Sequence, residues 1–484
     1  MLTYVFIGVI IVALLSFGAV QRIPFLFVAC ALFSVAIVSA ALIGEPVRAR
    51  TVFRAALTLL IVMSGWILLQ TISFSGNPLA HQAWEAANLV TGKHGGSISV
   101  SPQDSRASLL AFVVPMVTFM TGLILCTSDE RSETILRTLI VTSAVIATLG
   151  LLQFILTPKQ LLLSEKLYYL DSLTTVFVNR NTAATYLGLT TLGMMLICWQ
   201  HRRQGYFRAL KSWLSHGSKS RSKGKILWPS VALLLLVLTI MALLLTKSRA
   251  GITSTFVAIL VLMPFLMLDR GEDKPVSSFA PRKRSRLMTP LKIVVGTILT
   301  IAFFLTFAGR MLLRAETRGP DNRFCIIPGL FNAIKGNLWT GTGFGSFADI
   351  FPAYRDPDCW MPDLWQQAHN SYIEGLLGLG IIFAFALLFV FVVLAWALIK
   401  GLRDRRRFRL YPALGISAVA LVVLHAILDF SLQIPGFAVF FTAFMAPIVS
   451  VSLGRRRENV KPYTRSGQFQ PSAVLVQETQ GEIC

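Results

Sequence analysis

Two apolar runs joined by a short polar turn decide the fold class of this chain. Residues 227–268 read LWPSVALLLLVLTIMALLLTKSRAGITSTFVAILVLMPFLML, in which Thr246-Lys247-Ser248-Arg249 separates the runs. Each run is close to the roughly 20 residues that an α-helix needs to cross a bilayer core of about 30 Å. Backbone polar groups in lipid must bond within their own segment, so both runs are predicted to be transmembrane helices.

Similar runs recur along the whole chain. Hydrophobic residues make up 54% of the 484 positions and charged residues only 14%, whereas a typical soluble protein has about 25% charged residues. We therefore expect an all-α polytopic integral membrane protein with about twelve transmembrane helices and one large loop, 310–372, that contains short helices. The predicted spans are 2–20, 24–44, 54–74, 108–126, 134–156, 182–200, 227–245, 252–268, 291–309, 373–399, 411–430 and 435–453.

The basic residues predict the orientation of this bundle. Lys and Arg cluster in 201–225, 269–292, 400–410 and 455–457, and such clusters favour the cytoplasmic side. Both termini are then cytoplasmic and the loop 310–372 is extracytoplasmic. We interpret 1–457 as one transmembrane bundle and 458–484 as a disordered cytoplasmic tail. Because the clusters lie between apolar runs, the net charge of +22 indicates membrane lipids, and no nucleic acid, as the partner.

Two cationic motifs lie at predicted outer helix ends. Asn179-Arg180-Asn181 opens the sixth span and Ser248-Arg249 follows the seventh. Guanidinium groups stay charged and bind phosphate oxygens in pairs, so Arg180 and Arg249 suit an anionic headgroup such as a diphosphate. The structural alternative is that both arginines only reach towards lipid headgroups.

The end of the long loop offers a candidate base. His369 can accept a proton at neutral pH, although a loop histidine can also be purely structural. Ser371 and Glu374 fit a capping box that opens the next helix, and Glu374 is an alternative base. His425 and Asp429 are four residues apart in the eleventh predicted span, so we expect them on one helical face, paired inside the bundle.

The rest of the long loop adds two features. Arg323 is a candidate third cation, with a surface ion pair as the alternative. Gly341, Gly343 and Gly345 alternate with other residues, which predicts unusual backbone angles or a close approach of another group. The sequence contains no metal-ligand spacing and no phosphate-binding loop, so we expect neither a metal nor another cofactor.

The order of four motifs resembles the O-antigen ligase and Wzy-type polymerase superfamily of bacterial envelope polysaccharide synthesis. The motifs are Phe177-Val178-Asn179-Arg180-Asn181, Ser248-Arg249-Ala250-Gly251, the series from Arg323 through the glycine turn to Ala368-His369-Asn370-Ser371-Tyr372-Ile373-Glu374, and the segment His425 to Pro435 with Asp429 inside.

This resemblance implies a metal-independent glycosyltransferase of the bacterial inner membrane that acts on the periplasmic face. It implies a glycan donor carried on undecaprenyl diphosphate and an acceptor glycolipid or glycan. Arg180, Arg249 and Arg323, with Asn179 and Asn370, would bind the diphosphate and substrate, and His369 would lie near the acceptor hydroxyl. A ligase that uses lipid A–core is the preferred interpretation. A polymerase of O-antigen, capsule or exopolysaccharide repeats is the close alternative, and a small-anion transporter is the alternative from another class.

Two cysteines in the long loop predict a disulfide. Cys325 and Cys359 both lie in the segment expected in the periplasm, an oxidising compartment. Their bond would close a loop of about 35 residues across the glycine turn, worth about 3–4 kcal/mol in the chain-entropy account. Two unpaired loop residues are the alternative.

Overall fold

The computed structural model describes residues 1–92, 94–203, 206, 223–269, 326–356 and 365–454. Within these ranges the regular structure is helical except for one small hairpin, whose antiparallel strands are β1 Gln160–Leu161 and β2 Ser164–Glu165. The α-helices are α1 Leu2–Leu15, α2 Arg22–Ile43, α3 Arg50–Gln70, α4 Ala83–Thr91, α5 Pro102–Leu125, α6 Asp129–Leu156, α7 Arg180–Arg203, α8 Lys223–Leu245, α9 Arg249–Leu268, α10 Ile327–Asn337, α11 Phe347–Ile350, α12 Ser371–Leu379, α13 Ile381–Asp404, α14 Leu410–Ala426 and α15 Pro435–Ser452.

The described helices confirm an all-α polytopic membrane protein. Nine of them are long and apolar enough to cross a bilayer, namely α2, α3, α5, α6, α7, α8, α9, α13 and α15. The apolar helices α1 and α14 are shorter. The ninth predicted span, 291–309, lies outside the described residues, so the number twelve stays a prediction.

Two helices form the centre of the bundle. Of the most apolar 18-residue stretch of each helix, 83% is buried in α7 and in α15, whereas only 11% is buried in α13. Tyr186 on α7 packs edge-on against Phe177 and Phe440, with ring centroids 5.5 and 4.9 Å apart. A Cβ added at Gly188 would lie 2.2 Å from the Thr255 hydroxyl. This glycine therefore lets α7 approach α9 closely, which brings the first turns of the two helices together.

The tenth predicted span is not one continuous helix. It is divided at Gly380, whose φ of 67° ends α12 before α13 begins. The three glycines of the turn 341–345 all have positive φ. An ideal Cβ at Gly343 would lie 2.2 Å from the Ser99 hydroxyl, and one at Gly341 would lie 2.4 Å from the Gly378 carbonyl oxygen. The predicted demand for unusual angles and close approach is confirmed, and the turn's role here is packing.

Other predicted elements fall partly outside the described residues. The large loop contains the short helix α10, Ile327–Asn337, as expected for this loop. Arg323, Cys325, Cys359 and the tail 458–484 lie outside the described residues, so their predicted roles stay predictions.

Candidate active site

A buried carboxylate lies at the centre of a polar cluster at one end of the bundle. Asp429 has no exposed surface. The Asn181 amide donates to Asp429 Oδ1 at 3.2 Å, and the Ser431 hydroxyl donates to Oδ2 at 3.1 Å. A buried charge needs such partners to offset the loss of water. Burial raises the pKa of Asp429, but the nearby His369, the field of His425 and the Asn181 amide outweigh burial and hold it below its usual value.

The candidate base His369 faces this carboxylate. Its Nδ1 lies 3.6 Å from Asp429 Oδ1, and 23% of its side chain is exposed. The rings of Trp365 and Phe430 flank the imidazole edge-on, with centroids 5.2 and 4.9 Å away. His369 has a left-handed backbone, with φ of 52°. Such strained residues concentrate at functional sites. The imidazole is therefore held between two rings, with one nitrogen at a carboxylate.

His425 lies one step behind Asp429. It is buried, and its Nδ1 is 3.3 Å from the Ser431 hydroxyl, which also lies 3.2 Å from the Thr185 hydroxyl. The expectation that His425 and Asp429 share a helical face was wrong, because α14 ends at Ala426. The chain turns after the end of this helix, and the Ser431 hydroxyl contacts both His425 and Asp429.

The first turn of α12 shapes the loop that carries His369. Asn370 caps the helix, since its Oδ1 accepts from the backbone N–H groups of Tyr372 and Ile373, both at 3.0 Å. The Ser371 hydroxyl donates to the Asp429 carbonyl oxygen at 3.0 Å. The predicted capping box was therefore wrong by one residue, and the Asn370 side chain is engaged in the cap.

Glu374 supports the same loop from the next turn. Its Oε2 accepts from the Ala368 backbone N–H at 2.8 Å. Burial raises the pKa of Glu374 to about 7, while the bonds from Ala368 and Gln433 act in the opposite direction. This carboxyl fixes the backbone of Ala368, the residue that precedes His369, and so helps to position the imidazole.

The cationic side of the site lies where α7 and α9 begin. Arg180 stacks over the Tyr169 ring, 5.1 Å from its centroid, and donates to the Ser172 hydroxyl at 3.4 Å. Lys247, which has a left-handed backbone, pairs with Asp171 at 3.2 Å. The Ser172 hydroxyl has the largest effect and lowers the pKa of Asp171. Burial opposes it, but Lys247 and Arg180 lower the pKa further, so it lies below its usual value.

Arg249 is the exposed first residue of α9, whose cap is the Ser248 hydroxyl. The first turns of α7 and α9 touch, because a Cβ added at Gly251 would lie 2.3 Å from the Cβ of Ala184. Each helix N-terminus carries a partial positive charge. Two such ends, with Arg180 and Arg249 upon them, form a surface suited to an anion.

One amide connects the cationic side to the carboxylate. Asn181 accepts from the Ser248 hydroxyl at 2.8 Å through Oδ1 and donates to Asp429 through Nδ2. Asn179, the neighbouring residue proposed from the sequence, accepts from the Asn181 backbone N–H at 2.8 Å through its side chain. Sequence reasoning missed Asn181, Ser248 and Ser431 as site residues. All three lie inside the motifs that it singled out, but no local signal distinguishes one asparagine from the other.

Among the described residues, no group of three or more His, Cys, Asp or Glu side chains is arranged to hold a metal ion.

Comparison with known families agrees with the resemblance seen in the sequence. The family model described as O-Antigen ligase matches residues 234–388, a range that includes Arg249, the glycine turn and His369. This match confirms the resemblance to the O-antigen ligase and Wzy superfamily. No curated protein matches the chain.

Proposed function

We propose, from the similarity of residues 234–388 to O-antigen ligases, that this chain is a glycosyltransferase that moves a glycan from undecaprenyl diphosphate to the sugar of an acceptor, lipid A–core. The proposed location is the bacterial inner membrane, with both termini in the cytoplasm and the site on the periplasmic face. The donor and acceptor rest on the family and on the chemistry of the cluster.

The observation that carries the proposal is that an imidazole beside a buried carboxylate and the N-termini of two helices lie in one polar cluster. A carboxylate–imidazole pair lies on one side, with 3.6 Å between Asp429 and His369. Two arginine-bearing helix N-termini lie on the other, joined to the pair by Asn181. Glycosyl transfer from a diphosphate needs both, a base for the acceptor hydroxyl and cations for the leaving group.

The proposed reaction proceeds in one displacement. The His369 imidazole takes the proton of the acceptor hydroxyl through Nε2, since Nδ1 lies at Asp429. The hydroxyl oxygen forms a bond to the anomeric carbon of the donor glycan. The bond from that carbon to the diphosphate oxygen breaks, and its electron pair leaves with the diphosphate. Asp429 stabilises the imidazolium that forms and fixes its orientation.

The cationic side stabilises the leaving diphosphate. Arg180 and Arg249 are placed to bind its oxygens with paired N–H groups, and their helix ends add partial positive charge. Asp171 now neutralises Lys247. This lysine is a further cation that could exchange its carboxylate partner for a phosphate oxygen.

Reconstitution of the full chain tests this function. Protein in lipid nanodiscs is given undecaprenyl diphosphate carrying a fluorescent glycan, with and without lipid A–core. A ligase forms labelled glycolipid only when the acceptor is present. A glycan ladder formed from the donor alone assigns the polymerase activity instead.

The matched variant is His369→Ala, which should lower the transfer rate by about 10²- to 10⁴-fold, the usual contribution of a general base. Carrier-lipid binding should be unchanged in this variant. Uptake of a small anion by vesicles that contain the protein, with no glycan transfer to any acceptor, would assign a transporter and overturn the proposal.

A further inference from the structure

The β1–β2 hairpin folds back onto the end of α6. Gln153, in the last turn of α6, donates to the Leu162 carbonyl oxygen at 2.7 Å and accepts from the Leu162 N–H at 3.1 Å. Both backbone groups of Leu162 are thereby bonded, which lowers the penalty for placing this non-helical backbone near lipid. The tip is fixed beside the last turn of the helix and does not extend away from it.

The outer surface of this hairpin is apolar and exposed. Leu163 at the tip is fully exposed, and Leu167 and Leu170 in the following segment are 74% and 52% exposed. Their surface continues that of Ile155 and Leu156, which are exposed at the end of α6. A spanning helix presents such residues to acyl chains, so the hairpin extends a lipid-facing surface.

The length of α6 sets the depth of the tip. The segment 138–156 contains no charged residue, and at about 1.5 Å per residue it covers about 28 Å of a hydrocarbon core of about 30 Å. The last turn of α6 therefore lies at the edge of the hydrocarbon. Because Gln153 holds Leu162 beside that turn, Leu163 lies at the same depth.

We propose that the exposed leucine side chains of the segment Leu163 to Leu170, namely Leu163, Leu167 and Leu170, form a membrane-inserted anchor, whose partner is the acyl-chain boundary of the leaflet on the side of the polar cluster. Continuity with the lipid-facing side of α6 identifies the bilayer as that partner. The opposite end of the hairpin, at Gln160 and Glu165, is polar and remains in water.

The anchor has a consequence for the cationic surface. The Lys166 amine, in the segment that carries the anchor, donates to the Ser172 carbonyl oxygen at 2.5 Å, and the Ser172 hydroxyl accepts from Arg180. The Leu173 N–H donates to the Leu245 carbonyl oxygen at 2.9 Å, which ties the same segment to the end of α8. The lipid contact thus fixes Arg180 at headgroup level. This inference stands independently of the glycosyl transfer proposed above.

Tryptophan substitutions within the hairpin test the anchor. The full chain is reconstituted in phosphatidylcholine vesicles with bromine at acyl positions 6,7 or 11,12. Leu163→Trp is compared with Gln160→Trp, a control at the polar end of the same hairpin. Because the chain has nine native tryptophans, the emission of the unsubstituted protein in the same vesicles is subtracted.

The added emission of Leu163→Trp should be quenched several-fold more by the brominated lipid than that of Gln160→Trp, and more strongly by 6,7 than by 11,12 bromine. Aqueous iodide should show the opposite ranking. Leu167→Trp carries the same expectation and serves if Leu163→Trp does not reach the membrane. Emission at 163 and 167 that iodide quenches and brominated lipid does not would place the segment in water. Emission that neither reagent quenches would show a protein cover. Either result overturns the anchor.

Discussion

Asn181 joins the two halves of the candidate site through a single side-chain amide. One end of that amide meets the Ser248 cap of α9, and the other meets the buried Asp429 carboxylate. The neighbouring Asn179 side chain bonds to the backbone of its own turn, and among the described residues it forms no hydrogen bond with Asp429. The sequence does not distinguish these two asparagines, but their substitution is expected to affect activity differently.

We expect Asn181→Ala to lower the transfer rate by about 10- to 100-fold, since a buried carboxylate loses a donor at a cost of about 1–3 kcal/mol. Asn179→Ala is the matched control and should lose much less activity. Both are measured as initial rates in nanodiscs, beside a melting curve for each variant. A greater loss in Asn179→Ala than in Asn181→Ala would contradict this account of the junction.

Arg249 offers a test of phosphate binding that keeps the charge. Arg249→Lys should lose most activity, about 10- to 100-fold, because a lysine cannot form the paired contact that a guanidinium forms. Arg180→Ala should behave similarly. Lys247→Arg keeps its charge and should remain active. Near wild-type transfer by well-expressed Arg249→Lys and Arg180→Ala would remove the diphosphate role.

Glu374 makes stability depend on pH. Its pKa is raised by burial from 4.5 to about 7, so the folded chain binds more protons than the unfolded chain between these values. Stability should then fall as pH rises from about 5 to 8. Glu374→Gln should flatten this dependence and melt higher than the wild type at pH 8. Melting curves of the two proteins at several pH values measure how the melting temperature depends on pH. The same pH dependence in both proteins would show that this carboxyl does not titrate as stated.

At the scale of elements, the break between α12 and α13 sets the loop that carries the base. Gly380 has a φ of 67°, and an ideal Cβ there would lie 2.7 Å from the Trp339 carbonyl oxygen and 2.7 Å from the Gly341 nitrogen. The Gln70 amide supports the same junction, donating to the Thr340 and Gly378 carbonyl oxygens at 2.8 and 2.9 Å. A continuous helix would separate the glycine turn from α12.

Gly380→Ala should destabilise the protein by about 1–3 kcal/mol, the usual cost of a strained backbone residue, with an added cost from the clash. Gly65→Ala, in α3, is the control, because nothing lies within 4 Å of an added Cβ there. The melting temperatures of the two variants are compared in the same detergent, and Gly380→Ala should melt lower. Equal melting temperatures would show that the junction adjusts freely.

At the scale of the whole molecule, the helix order places the polar cluster at one end of the bundle. The helices α7, α9 and α12 begin there, and α8 and α14 end there. At a distant set of helix ends, Asp129 bonds to Arg48 at 2.6 Å and also to Arg405, which donates to the Gly454 carbonyl oxygen at 3.2 Å. These contacts tie the region before α3 to α6 and to the ends of α13 and α15.

The orientation of the bundle is open to a direct test. The basic clusters predict that alkaline phosphatase is active when fused at Asp356 and inactive when fused at Lys219. Enzyme activity in whole cells, normalised to the amount of each fusion, measures this. The reverse pattern would place the candidate site in the cytoplasm, away from a periplasmic donor.

The sequence by itself determined the fold class and the position of most spanning helices. The length of an apolar run is a local property of the sequence. A segment such as 227–245 can therefore be recognised as a spanning helix without knowing what it packs against. The motifs around Arg180, Arg249 and His369 also showed the resemblance to the superfamily, because a resemblance in the order of short motifs can be read without knowing their contacts.

Only the tertiary structure decided which polar groups meet. Asp429 pairs with His369 rather than with His425 along a helix, and Asn181 reaches it from far earlier in the chain. The cap at Asn370 and the break at Gly380 likewise depend on neighbours that pack there. Helix packing and the positions of the helix ends determine which residues distant in sequence form hydrogen bonds. A local pattern of hydropathy predicts neither of these.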